Sequence, residues 1–440
     1  MSVVTGTAGI APRRPCPRFT PKVGFPMDIL VRKYGGTSLA GADRLRRAAT
    51  SVARASRTWP TVVVVSARGD STDQLLAMAA AAGERSASRE TDQLLATGEC
   101  LSAALFAMTL RSLGVPAVSL TGGQAGIRVV GPPGAGRIAA IDPARIHRHL
   151  GEGSVVVVAG FQGVGAGGDV VTLGRGGSDT TAVALAAELG VRRCEIYTDV
   201  AGVFDADPRV VPSARVLDTV PMDVMVEMAF AGARVLHSRS VELAAARGID
   251  LLVRSALADG AGTVIPGGRQ PEMLESHALV AIAHDLDVTR VLVRADTAHR
   301  DLAVDVLSLF ARHHAPVDLV ARSGRYEAEF RMGFTARRSD IPRLVDELRA
   351  LVSAVDGTVV LDENIAKISL IGTGLLNRPE FTARLLAGLD AAGISTGWIA
   401  TSQLRVSVTV PQERVTDALA LLHKEFELGS ERLVAGAGAR

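Results

Sequence analysis

From Asp28 to about Ile265, short runs of Val, Ile and Leu alternate with longer segments rich in Ala, Leu and Arg. DILVRKY (28–34) leads into a helical pattern at 41–57, and TVVVVSA (61–67) leads into helical patterns at 73–82 and 99–113. Uninterrupted apolar runs of this kind, bounded by turn residues, suit strands buried on both faces, and their alternation with helices is the βαβ rhythm of a largely parallel sheet. Further strands are predicted at 155–160, 170–173, 194–198 and 250–254, with helices at about 180–190, 223–230 and 239–247. Glycine clusters fall at several strand ends, where open α/β sheets place their ligands.

A Gly- and Pro-rich stretch at 257–272 separates this pattern from a different one. Beyond it, VLVRA…LSLFARHHAPVDLV (291–320) resembles ISLIGT…LAGLDAAGISTGWI (368–399) in pattern, each reading as strand, loop, amphipathic helix and strand. Two copies of a small α+β unit, βαββαβ, are the simplest account, one of them open to completion by a strand from the other end. The expected division is a leader or miscalled start at 1–26, an α/β domain at 27–268, and small units at 269–357 and 358–440.

Composition narrows the class. At 440 residues the chain suits two or three domains. Only 4% of residues are aromatic while 48% are hydrophobic, so the cores must be built from Val, Leu, Ala and Ile. Net charge is +2 and no long basic run with interleaved aromatics occurs, which argues against nucleic acid as a partner. No apolar stretch approaches the roughly 20 residues that cross a bilayer, so no membrane is expected. Residues 1–26 carry Arg13, Arg14, Arg18 and Lys22 but no apolar core, unlike a secretory signal. Cys16, Cys100 and Cys194 form no paired spacing, and a reducing, cytoplasmic setting is the default.

The chain holds no GxxxxGK[ST] loop and no HExxH. A formal GxGxxG at Gly163, Gly165 and Gly168 precedes strand-like DVVTL instead of a helix, and reads as a turn. What remains is LVRKYGGTSLAG (30–41), a strand ending in Lys33 and running through Gly35 and Gly36 towards a helix. Glycines let backbone N–H groups approach an anion, a helix N-terminus favours negative charge, and Lys33 supplies a compact cation. A second Gly-rich turn, TLGRGGSDTTAVALAAELG (172–190), offers Arg175 and Ser178 as donors, Gly176 and Gly177 as permissive backbone, and Asp179 to orient a cation. In YTDVAGVFDADPR (197–209), Asp199, Asp205 and Asp207 could bind Mg²⁺, hold nucleotide hydroxyls or shape a solvated loop.

Six ordered motifs together resemble the aspartokinases of the amino acid kinase family: KYGGTS (33–38), VVVVSARGDSTDQLL (62–76), TGECLSAAL (97–105), FQGV (161–164), TLGRGGSDTTA (172–182) and YTDVAGVFDADPR (197–209). The resemblance implies a mainly parallel sheet sandwiched by helices, L-aspartate and ATP as substrates, Mg²⁺ carried chiefly on the ATP phosphates, and no direct protein metal ligand. By it, Lys33 and Asp179 are catalytic. Lys33, Tyr34, Gly35, Gly36 and Ser66 would meet the phosphates, and Thr72, Glu99, Arg175, Gly176, Gly177 and Ser178 the aspartate. Thr198, Asp199, Phe204, Asp207 and Arg234 would form the nucleoside side, with Arg234 standing where the family usually has lysine. The small units resemble ACT domains, which implies homo-oligomers and a lysine or threonine effector. Against that effector stand DTAHRDLAV (296–304) without Pro or Gly, LVARSGRYE (319–327) without a Gln-Asn pair, and Glu380 in place of a usual glycine. The rivals are a non-catalytic amino-acid-binding regulator and a kinase for glutamate or N-acetylglutamate.

Overall fold

The structure, a computed structural model, describes residues 29–84, 87–233, 235–268, 279–296, 302–322 and 329–428. The first part runs β1 (Leu30–Tyr34), α1 (Gly41–Ala55), β2 (Thr61–Val65), α2 (Ser71–Ala81), α3 (Arg89–Ser112), β3 (Ala117–Leu120), β4 (Ile127–Val130), β5 (Arg137–Ile141), α4 (Ala144–Gly151) and β6 (Val155–Ala159). It continues with β7 (Gln162–Val164), β8 (Val170–Thr172), α5 (Gly177–Glu188), β9 (Arg193–Thr198), α6 (Met222–Phe230), α7 (Ser238–Arg247), β10 (Asp250–Ser255) and β11 (Thr263–Ile265). Seven strands form the central sheet in the order β11-β10-β9-β1-β2-β6-β3, parallel throughout except for β11 at one edge.

The Val runs explain this sheet. In β2, Val62 and Val64 enter the core on the α5 side while Val63 and Val65 enter the core on the α1 and α3 side. Both faces are thus covered, and each fully buried Val contributes about 1.5 kcal/mol. A smaller four-stranded sheet, β5-β4-β7-β8, lies beside it, and its β7–β8 hairpin turns through the glycines of the formal GxGxxG. Helix α3 begins ten residues before the predicted start, capped by the Ser88 hydroxyl, which accepts Thr91 N at 3.1 Å. It is the one described helix long and apolar enough to cross a membrane, and half of its apolar window is buried within this domain.

The second part runs β12 (Leu279–Asp285), β13 (Thr289–Asp296), α8 (Leu302–Arg312), β14 (Val317–Arg322), β15 (Glu329–Ala336), α9 (Val345–Ser353), β16 (Thr358–Asp362), β17 (Ile365–Gly372), α10 (Pro379–Ala391), β18 (Ile399–Thr401), β19 (Arg405–Pro411) and α11 (Val415–Glu425). Two four-stranded sheets result, β14-β15-β13-β16 and β12-β17-β19-β18. They do not part at 357/358. Thr358–Asp362 pairs with β13 and closes the first sheet, and Leu279–Asp285 pairs with β17 and closes the second. One unit is therefore inserted between two strands of the other.

Both units meet the first domain at an ion-pair hub. Asp318 on β14 accepts from Lys367 Nζ on β17 at 2.8 Å and from Arg405 Nη2 on β19 at 3.1 Å. Arg405 Nε lies 3.5 Å from Glu227 Oε2 on α6, and both cations sit over the Phe230 ring, at 5.3 and 5.0 Å. Burial alone would raise the Asp318 carboxyl, but Lys367 and Arg405 outweigh it and hold it below its ordinary value. Asp318→Ala leaves Lys367 buried without a counter-charge, and is expected to cost about 3 kcal/mol, read as a lowered Tm that Lys367→Met partly restores. The contribution of Asp318 is present above the ordinary 3.8 and is lost as pH falls through its depressed value.

Candidate active site

Parallel pairing of β1 with β2 and β9 sets the turns after all three strands side by side at the carboxyl edge of the sheet. Gly35 N donates to Tyr197 O at 3.1 Å, Ser66 N to Tyr34 O at 3.1 Å and Gly69 N to Gly36 O at 3.0 Å, so the phosphate-type turn is bonded to both neighbours. A Cβ on Gly36 would stand 2.4 Å from Ala67 O, which requires glycine there. The turn borders a cleft of about 1050 Å³.

That cleft brings together Lys33, Gly36, Ser66, Thr72, Glu99, Arg175, Gly176, Gly177, Ser178 and Asp179. Lys33 Nζ and Asp179 Oδ1 are 2.6 Å apart and nearly buried, a cation from the first glycine turn against a carboxylate from the second. Helix α5 is buried over its first ten residues, so its amino end opens into the cleft with Gly177, Ser178 and Asp179 in the first turn. Arg175 is exposed at the mouth.

Gly176, the N-cap of α5, has φ +68, and a Cβ there would meet the His237 ring at 2.2 Å. The turn before α7 therefore braces the loop that carries Arg175 and Asp179. Burial first, then Arg337, lowers the His237 pKa, and its Nδ1 has no hydrogen-bond partner among the described residues. Arg175, Gly176 and Asp179 also border a cavity of about 680 Å³ reaching Asp318, Arg337 and Lys367 of the small units. Gly176→Ala adds backbone strain of about 1–2 kcal/mol and pushes against His237. It is expected to lower Tm and to reduce kcat at least tenfold; a variant with the parent's kcat removes His237 as a brace.

Glu99 on α3 is buried. Its Oε1 accepts Ala67 N at 3.0 Å, whereas Oε2 meets no hydrogen-bond partner among the described residues. Burial pushes its pKa up to about 7, against the smaller opposing effect of the Ala67 N–H. Two turns earlier on the same helix face, Asp92 is fully buried and accepts Thr172 N at 2.7 Å, Thr172 Oγ1 at 2.7 Å and Gly134 N at 3.1 Å. Asp92 lines the cleft and was missing from the sequence reading. The signal was there: two acids seven residues apart share one face of an otherwise apolar helical stretch.

Thr198, Asp199, Phe204 and Asp207, expected on the nucleoside side, sit outside the cleft lining. Thr198 and Asp199 follow β9 next to the Gly35 turn, with Thr198 Oγ1 donating to Asp199 Oδ1 at 3.0 Å. Phe204 is half-buried and bridged to Val216. Asp207 is held below its ordinary pKa by Arg209, whose Nε and Nη2 reach it at 2.9 and 2.7 Å. Asp205 does not join these acids. It is buried and accepts Arg215 N at 2.9 Å, with His423 Nε2 on α11 at 3.4 Å. Tyr34 departs from its expected place as well, because side chains alternate along β1 and its ring lies on the face opposite Lys33, 4.7 Å from Tyr197. Only its backbone belongs to the glycine turn that follows β1. Arg234 lies outside the described residues, as do 297–301 and 323–328 of the two unusual small-unit segments.

Residues 28–255 match the amino acid kinase family and residues 368–426 match the ACT domain. The chain is 42% identical over 410 residues to the aspartokinase of Mycolicibacterium smegmatis, covering 92% of this chain and 97% of that one. The chain belongs to the amino acid kinase family, among the aspartokinases. It is an aspartate kinase, a phosphotransferase, and phosphorylates aspartate with ATP. Aspartokinase from Thermus thermophilus is 38% identical over 91% of this chain and 99% of its own. Among solved structures, E. coli aspartokinase III in complex with aspartate and ADP (R-state) aligns over 90% of this chain and 99% of its own at TM-score 0.77 and 26% identity. The same enzyme with lysine and aspartate (T-state) aligns at TM-score 0.68. The aspartokinase fold thus accounts for both the parallel sheet and the small units that follow it.

Proposed function

We propose that the chain transfers the γ-phosphoryl group of ATP to the β-carboxylate of free L-aspartate in the cleft between Lys33 and Arg175, with Glu99 selecting the free α-ammonium. The observation that carries this reading is the unpartnered Oε2 of Glu99, a buried carboxylate oxygen that a cationic substrate group would complete. An acylated amine would leave it bare. Arg175, exposed at the mouth, grips a substrate carboxylate, and Thr72 and Ser178 supply hydroxyls alongside.

A β-carboxylate oxygen attacks the γ-phosphorus, an O–P bond forms, and the bond to the bridging oxygen breaks with its electron pair leaving on ADP. No proton moves, because the nucleophile is ionised at neutral pH. Positioning and charge neutralisation carry the catalysis. Lys33 follows the charge developing on the transferred group, Asp179 fixes the Lys33 ammonium, and the amino end of α5 favours the anion. Thr198, Asp199, Phe204 and Asp207 take the nucleoside side. Among the described residues no three carboxylate, histidine or cysteine side chains converge as a metal cage, and Asp179 is already paired with Lys33. This donor set suits Mg²⁺ held by ATP oxygens. When bound, the ion offsets phosphate charge.

The test is a hydroxamate assay with ATP and a panel of L-aspartate, N-acetyl-L-aspartate and L-glutamate. Turnover of L-aspartate is expected to exceed the others by at least a hundredfold, and equal turnover of the acetylated acid would overturn the role of Glu99.

Feedback is proposed to be weak. Glu380 occupies the first turn of α10, exposed, with Arg378 Nε 3.7 Å away, so a carboxylate already stands at that helix end. An amino-acid effector would meet it with its own carboxylate. Full activity in excess lysine and threonine is expected; inhibition by low concentrations of either refutes it. We also propose a cytoplasmic homo-oligomer that catalyses the first step of an aspartate-derived amino-acid pathway.

A further inference from the structure

On the face of the central sheet turned away from Lys33 and Asp179 lies a cavity of about 710 Å³, walled by α1, by β1, β9 and β10, and by the loop at 255–260. It shares no lining residue with the catalytic cleft. Strand alternation builds its floor: Lys33 faces α5, so its neighbours Arg32 and Tyr34 face α1. Arg32 is buried and donates through Nε to Glu195 Oε2 at 2.7 Å, and the same oxygen accepts Tyr197 O–H at 3.1 Å. Arg32 also reaches Ser51 O at 3.3 Å and stands 5.3 Å over the Tyr197 ring.

Tyr34 is the exception in this satisfied floor. It is 1% exposed, and its hydroxyl has no hydrogen-bond partner among the described residues. Burial raises the pKa of the phenol, opposed first by the charge of Arg32 and to a smaller extent by the neighbouring Ser51 hydroxyl. An orphaned buried hydroxyl is destabilising, and an acceptor in the cavity removes that cost.

The rim supplies charge. Arg46, Thr50 and Arg54 recur at four-residue intervals along one stripe of α1, with Arg47 on the next and Arg254 opposite. Arg47 and Arg254 donate to the carbonyls of Leu257 and Ala261, bonds that leave their charge uncancelled. Arg32 being paired with Glu195, four arginines, Arg46, Arg47, Arg54 and Arg254, face two lining acids, Asp43 and Asp259. A solvated basic helix face needs neither a concave wall nor a buried phenol lacking an acceptor.

We propose that this cavity binds a small, multiply charged oxyanion, its charge met by Arg46, Arg47, Arg54 and Arg254 and one oxygen accepting from the Tyr34 hydroxyl. Phosphate and carboxylate groups both meet that description, and the two are separated by the probes used.

The experiment is isothermal titration calorimetry of the full chain at low ionic strength, with pyrophosphate and, separately, citrate. The catalytic cleft is first saturated with ADP and L-aspartate. One saturable event per chain is expected to persist for at least one probe, and the tighter probe identifies the anionic group. Arg46→Ala/Arg54→Ala, two exposed positions, should weaken it at least tenfold while leaving Tm and the KM values for ATP and aspartate unchanged. Tyr34→Phe should weaken it about threefold. The proposal is overturned if neither probe binds once the cleft is filled, or if the double arginine variant binds as tightly as the parent.

Discussion

Lys33→Met is expected to lower kcat by roughly a thousandfold, with far smaller changes in the KM for either substrate. The side chain is asked to act where charge develops during transfer, so its loss falls on the transition state more than on the bound ground state. The same change strips Asp179 of its partner at 2.6 Å and leaves a nearly buried carboxylate uncompensated. A stability loss of about 3 kcal/mol should follow. Adding Asp179→Asn separates the two effects: the double variant should regain most of the lost stability and none of the activity. Recovery of turnover in the double variant would mean that Lys33 serves the pair and not the phosphoryl group. Circular dichroism melting and single-turnover kinetics read the two effects independently.

The second large effect concerns Glu99, and it has opposite signs for binding and for stability. With a folded pKa of about 7 against an ordinary 4.5, the native state holds a proton that the unfolded chain has released. The stability due to this group is complete below 4.5 and is lost as pH rises to about 7. Glu99→Gln keeps the shape without the buried charge, so the substrate-free variant should be more stable than the parent at pH 8, by about 1–3 kcal/mol. Aspartate binding should suffer, with KM raised about a hundredfold, because the α-ammonium loses its counter-ion. In the parent, KM for aspartate should climb about tenfold per pH unit below 7, and in the variant that slope should vanish. A variant whose KM still rises as pH falls would assign the titration to another group.

How much of this could be read from the sequence depended on whether the deciding contact was local. The central sheet was legible because Val62 to Val65 and Val155 to Val158 are apolar without a break, which only strands covered on both faces require. The short strands β4 and β5 were not, since β4 alternates buried with exposed positions over only four residues and β5 buries only Ile141 of its five. The early start of α3 was hidden by Thr91 and Asp92, polar residues buried because Thr172 and Gly134 lie across from Asp92. In the site, Lys33, Arg175 and Asp179 stood out because glycines flank them. The ring of Tyr34 turns away from Lys33 and stacks on Tyr197 because neighbours on a strand point apart. Asp205 was grouped with Asp199 and Asp207 by spacing, yet its partner His423 is more than two hundred residues away in the chain.

The threading of β12 makes the second part of the polypeptide the near neighbour of two loops of the first domain. Ile282 N donates to Asp205 O at 2.8 Å, and a Cβ on Gly232 would stand 2.3 Å from His284 O, so this strand lies against both the 199–218 loop and the turn before α7. A chain starting after β12 would bare the amides of β17 along an open edge, inviting strand exchange between copies. A chain ending before β12 would lose the wall that those two loops lean on. Shortening this protein at either point damages both halves, and swapping only residues 365–440 for a relative's would replace three strands of a sheet while leaving the fourth behind as a mismatched graft.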